Sequence, residues 1–171
     1  MLAAGVATLL ALALPRQVHA ASFEAKDLQV LGRAVVFMLP PPPTEAIVAI
    51  AYVAGNAESK RDAEAIAALI GSGLQAGRTV LRPRIVDING LEAGGFQVVI
   101  PSLGANGPRV NAAARAAHAL CATADIDAVR AGDCTMAITT EPRVKITVNH
   151  EVSAAAGIDF ATAFRMMIQE M

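Results

Sequence analysis

Ala46-Ile47-Val48-Ala49-Ile50-Ala51-Tyr52-Val53 is an unbroken apolar run of strand length, and its reading decides the fold. A half-exposed strand alternates apolar with polar side chains. A run with no alternation suits a central parallel strand covered on both faces. Such a strand needs a crossover back to the sheet, and the residues that follow supply one. Gly55-Asn56 closes the run, and Asn56 is an N-cap with Glu58 in the first helical turn. Ala63, Ile66, Ala67, Ile70 and Leu74 then mark a buried helical stripe, with Gly71, Gly73 and Gly77 ending it.

Working outward, Thr79 to Val86 reads as a second strand. It carries Pro83, which has no N–H for a ladder, and this places it at a sheet edge. Beyond the turn residues Asn89-Gly90 and Gly94-Gly95, Phe96 to Ile100 is a third, buried strand. Ser102 to Gly107 reads as a loop in which Ser102 or Asn106 caps a helix packed through Val110, Ala113, Ala114 and Ala117. Leu120 to Thr123 is a fourth strand. On the N-terminal side, Leu28, Leu31, Val35 and Met38 fall on one face of a helix over 25–38, which Pro40 to Pro43 ends.

The order β-α-β-β-α-β with apolar strands is the pattern of an α/β sheet. The C-terminal third differs. Cys134, Met136 and Ile138 alternate with Thr135, Ala137 and Thr139, and Val144, Ile146 and Val148 alternate with Arg143, Lys145 and Thr147. Period two on both sides of Glu141-Pro142 predicts an antiparallel hairpin with one wet face. Asp159 is then placed to cap a last helix docked through Phe160, Phe164, Met167 and Ile168. The expected architecture is one α/β domain over 21–171, in three layers, with parallel strands and a C-terminal antiparallel hairpin.

Residues 1–20 read as a cleaved signal peptide. Leu2 to Leu14 is uncharged and rich in Leu and Ala. At about 1.5 Å per residue it is too short for a bilayer core of about 30 Å. Pro15 breaks it, and Val18-His19-Ala20 places small residues where a signal peptidase reads. With no Lys or Arg ahead of Leu2, the amino terminus itself supplies the positive end.

Composition narrows the function classes. The whole chain holds 14 Lys and Arg side chains, one of them Arg16 in the leader, against 15 acidic ones, with five Phe, one Tyr and no Trp. That charge and aromatic supply gives no reason to expect a nucleic-acid surface. The motifs are similarly spare. Gly71-Ser72-Gly73 follows a helix rather than opening one, so it does not make a phosphate loop. No serine stands in G-x-S-x-G, and His150-Glu151 lacks the second histidine of a zinc-binding H-E-x-x-H pair. No C-x-x-C is present. The expectation is a protein that is not an enzyme and uses no metal or cofactor.

Two features remain as candidate sites. Cys121 and Cys134 meet oxidant after export and read as a disulfide if their strands are neighbours; the other state is a pair of buried free thiols. In open α/β sheets, ligands sit beyond the carboxyl ends of the strands. Here that collects Asn56, Ser59 and Lys60 after the first strand, and Ser102 and Asn106 after the third. These residues either hold a polar ligand or serve as ordinary turns and caps.

The closing segment RAGDCTMAITTEPRVKITVNHEVSAAAGIDFATAFRMMIQ, Arg130 to Gln169, resembles that of the YfiR-like family of exported proteins. Members end with a short Gly-led strand, a strand finishing in Asn, an Ala-rich turn with Gly, and a terminal helix. Gly132, Asn149, Gly157 and the helix from Phe160 fall in those places. Upstream, the first helix, the prolyl break, the strand Ile47 to Val53 and the segment Arg78 to Val86 are also similar. Two departures stand out. Met38-Leu39-Pro40 replaces the family's Trp-Pro, and Phe164 with Met166-Met167 replaces its leucine pair.

The resemblance implies a periplasmic, dimeric regulatory protein of Rossmann-like fold. Its function would be to bind and restrain the periplasmic region of a membrane-bound signalling protein of diguanylate cyclase type, so tuning cyclic-di-GMP signalling. The alternative expectation is a periplasmic small-ligand-binding module, a single-lobed relative of the substrate-binding components of ABC transporters, using the crevice between Asn56 and Ser102.

Overall fold

The computed structural model describes residues 22–171, and the leader read at 1–20 lies outside the described residues. The chain runs α1 (Ala25–Val36), β1 (Met38–Leu39), β2 (Glu45–Tyr52), α2 (Ala57–Ile70), β3 (Leu74–Ala76), β4 (Thr79–Asp87), a 3-10 turn (Ile88–Ala93) and β5 (Val98–Pro101). It continues through α3 (Pro108–Ala116), β6 (Leu120–Thr123), α4 (Ile126–Arg130), β7 (Met136–Thr139), β8 (Lys145–Val148), α5 (His150–Ala155), β9 (Asp159–Phe160), α6 (Thr162–Arg165) and β10 (Gln169–Glu170).

Eight strands form one sheet in the order β10-β8-β7-β6-β5-β2-β4-β3. β4, β2, β5, β6 and β7 are mutually parallel; β8 is antiparallel to β7, and β3 to β4. β2 lies at the centre of the parallel block, as its unbroken apolar run required. Its alternate residues feed two separate cores. Ala46, Val48 and Ile50 join α1 and α2 on one face, while Ala49 and Ala51 join α3 on the other. The result is a three-layer Rossmann-like open sheet.

The two faces differ in bulk. The α1/α2 face buries Ile50, Leu81, Ile100, Leu120, Met136 and Ile138. The α3/α4 face is richer in small side chains, with six alanines that include Ala49, Ala51, Ala113 and Ala114, beside Leu91, Phe96, three valines, Cys121 and Cys134. Small side chains let α3 approach the sheet closely but bury little apolar area each.

Several local expectations are corrected. The glycines after α2 do not simply end a helix. Gly71 caps it, and Leu74, expected in the helical stripe, belongs to an added edge strand that turns back through Gly77 into β4. β3 covers Thr79 to Leu81 only, so Pro83 lies on the uncovered half of β4. The hairpin has no wet face, because Thr135, Ala137 and Thr147 are as buried as Met136 and Ile146. α1 and α4 pack on β7, and β10 pairs along β8, so only the turn stays exposed.

The parallel pairing of β6 and β7 needs a crossover, and α4 supplies it. Asp159 does not cap a final long helix. The segment after β8 breaks into α5, β9, α6 and β10, with α5 capped by the Asn149 side chain, which accepts from Val152 N–H at 3.1 Å. Phe160 and Phe164 are buried as expected, but Met167 points out.

Candidate functional site

The chain passes from β2 to β4 on one side, then returns to β5 on the other. That reversal opens the crevice of a doubly wound sheet at the carboxyl ends of β2 and β5. Asn56 and Ser102 stand at those ends. Asn56 Oδ1 accepts the N–H groups of Glu58 and Ser59 at 3.0 and 3.1 Å, capping α2. Ser102 N–H continues the ladder to Ala51 O at 2.9 Å. The Oγ atoms of Ser59 and Ser102 are 2.9 Å apart, and Ser59 Oγ also accepts Val53 N–H at 3.0 Å. Both serines are buried, so this pair stitches the two strand ends together from inside.

Asp62, which sequence reasoning passed over, completes the stitch. Its carboxylate accepts Leu103 N–H at 2.8 Å and the Ser22 hydroxyl, holding the β5–α3 loop against α2. The Asn56-x-x-Ser59-x-x-Asp62 spacing puts all three on one helical face, a signal that was present in the sequence. Gly104 has φ +76, and a Cβ there would lie 3.8 Å from the Asn56 amide nitrogen, so loop and cap face each other closely.

The expected crevice residues thus divide. Asn56, Ser59 and Ser102 come together, but Asn56 Oδ1 and the two serine hydroxyls are engaged in holding the fold. Lys60 is exposed and makes no ion pair among the described residues. Neither Asn106 nor Ser102 caps α3, because Gly107 stands at the cap and Pro108 at the first helical position has no N–H to satisfy. Asn106 Oδ1 is left buried with no hydrogen-bond partner among the described residues.

The histidines sit elsewhere. His118, at φ +50 in the turn before β6, places Nδ1 3.0 Å from Ala156 O. His150 opens α5, and its backbone N–H donates to Met171 O at 3.1 Å. Neither ring hydrogen-bonds a serine, threonine or cysteine among the described residues.

Cys121 and Cys134 form a disulfide with Cα atoms 5.1 Å apart. β6 and β7 are neighbours with Ala122 opposite Met136, which brings Cys134, just ahead of β7, against Cys121. Both are fully buried on the α3/α4 face.

The C-terminal segment presents a different surface. Phe37 and Phe160 pack on Phe164, with ring centroids 5.4 and 5.1 Å away, and anchor α6. The residues that follow turn outward, with Met166 85% and Met167 62% exposed and Met171 beyond them also exposed. Asp159, whose carboxylate accepts the Phe160 N–H and pairs with Arg165, is held below the usual carboxylate range, first by that backbone hydrogen bond and then by the guanidinium.

No helix among the described residues is long and apolar enough to cross a membrane, and no cluster of three metal-ligating side chains occurs among them. Comparison with protein-family models and with curated proteins finds no match to this chain.

Proposed function

We propose that this chain is an exported, non-catalytic regulatory protein that acts in the periplasm, binding and restraining the periplasmic region of a membrane-bound signalling protein of diguanylate cyclase type. The observation that carries the reading is the Met166–Met167 surface. A buried aromatic cluster fixes its base while flexible thioether side chains face outward. Methionines at a contact surface adapt to a partner's contours, and contiguous exposed apolar patches mark interaction sites. The disulfide is compatible with an exported protein, since oxidising compartments preserve such bonds. The reading includes self-association as a homodimer.

The test is co-purification from detergent-solubilised membranes using the tagged protein, alongside Met166→Asp/Met167→Asp. Recovery of a membrane protein with a cyclase output by the parent and not by the double variant is the expected result. Recovery of nothing membrane-bound, or equal recovery by both proteins, overturns the assignment.

A second reading is favoured by one observation, the buried unpartnered Asn106 Oδ1 at the switch-point crevice. As a small-ligand-binding module the chain would offer that acceptor to a donor group on a polar ligand entering between Asn56 and Gly104. A thermal-shift screen with a metabolite library checks it: stabilisation by several degrees in the parent, and lost in Asn106→Ala, supports this second reading.

A further inference from the structure

α1 and the β7–β8 turn enclose a second cleft, away from the strand ends. Lys26, Val30 and Arg33 stand on one face of α1 at helical spacing, and Glu141, Arg143 and Val144 come from the turn. The cleft is open to solvent and has a volume of about 410 Å³, within the range of about 300–1,000 Å³ typical of small-molecule sites.

The charges in this cleft are unequally paired. Lys26 pairs with Glu141 at 2.6 Å, and Glu24 and Asp27 add negative charge beside Lys26. Arg33 and Arg143 line the same cleft, and neither is in an ion pair among the described residues. Two guanidinium groups therefore line one cleft without counter-ions, on a chain whose formal net charge is −1. Val30, partly buried against the core, and Val144, 60% exposed in water, line the same cleft.

Guanidinium forks match phosphate oxygens in pairs, and a phosphate monoester carries close to two negative charges at neutral pH. We propose that this cleft binds an organic phosphate monoester, with the phosphate held between Arg33 and Arg143 and an apolar body lying over Val30 and Val144. The monoester is either a soluble ester or the headgroup of a lipid such as phosphatidic acid. The site does not depend on the membrane partner proposed above, so either assignment can fail alone.

The experiment is an amide chemical-shift titration of the disulfide-bonded protein with phenyl phosphate, inorganic phosphate and phenol as separate probes. Saturable shifts confined to α1 and 140–144 are expected with phenyl phosphate, weaker ones with inorganic phosphate, and none with phenol. Arg33→Gln and Arg143→Gln should each weaken phenyl phosphate binding about tenfold. Val144→Ser should weaken phenyl phosphate but not inorganic phosphate, whereas Lys60→Gln, on α2 and outside the cleft lining, should change neither. Arg143 lies in an exposed turn, so its variant tests the site even if Arg33→Gln unfolds α1.

A parallel arm measures sedimentation with vesicles of phosphatidylcholine, with and without phosphatidic acid. Arg143-dependent binding only to the acidic vesicles assigns the monoester to a lipid and supports the site. Absence of saturation by phenyl phosphate together with no vesicle binding, or binding of either that ignores both arginine substitutions, overturns it.

Discussion

Ser59 shows how one hydroxyl can look like a ligand donor and be a stitch. It lies one turn into α2, fully buried, with its Oγ shared between Val53 N–H and Ser102 Oγ. Truncating it leaves a buried hydroxyl and a backbone N–H short of a partner, and each such loss costs about 1–3 kcal/mol. Ser59→Ala is therefore expected to lower the unfolding free energy measured in urea by that order, with Ser102→Ala adding little once Ser59 is gone. Additive losses in the double-mutant cycle would mean the two hydroxyls do not interact. The cap at Asn56 was legible because an Asn followed by an acidic first turn is a local pattern. The role of Ser59 was not, because its partner lies 43 residues away. Asn106 was misplaced as a cap for a local reason too: Gly107-Pro108 leaves less for a side chain to cap.

Elements long enough to show a period were legible, and shorter ones were not. β2 and α2 declared themselves, whereas β3 has three residues, α4 five and α5 six, all below the span over which periodicity separates helix from strand. The C-terminal segment misled for a related reason. Phe160 and Phe164 sit four apart as on one long helix, yet Phe160 pairs with Met38 in the small β1–β9 ribbon. Asp159 secures that ribbon to α6 through the Phe160 N–H and Arg165. Its carboxyl pKa is lowered in the folded state, so its contribution is complete above the ordinary carboxylate pKa of about 3.9 and is lost as pH falls through the depressed folded value. Amide exchange at Phe160 and Arg165 is expected to accelerate relative to the rest of the sheet on acidification through that range. Asp159→Asn should exchange faster at neutral pH and show a flatter acid response. An unchanged acid response in that variant would reassign the ribbon's acid sensitivity to another group.

At the scale of the whole molecule the two faces of the sheet are unequally packed, and the disulfide lies on the poorer one. Ile, Leu, Met and Phe fill the α1/α2 side, while on the α3/α4 side six alanines sit among Leu91, Phe96 and three valines around Cys121–Cys134. Burying an alanine methyl removes much less apolar area from water than burying a leucine, so α3 and α4 are held by close approach more than by bulk. The bond joins the β6–β7 pair across a sequence separation of 13. In the chain-entropy picture a loop of about 15 residues stabilises the fold by about 3 kcal/mol, by restricting the unfolded chain. Cys121→Ala/Cys134→Ala should accordingly unfold at lower urea, by about 3 kcal/mol, with a larger dependence on denaturant because its unfolded state exposes more surface. The two sulfur atoms are bonded to each other, so Ellman's reagent should find no thiol in the native or the denatured protein, and two only after reduction and removal of the reductant. Two thiols on denaturation without reductant, or a double variant as stable as the parent, would mean that this face holds without its covalent link.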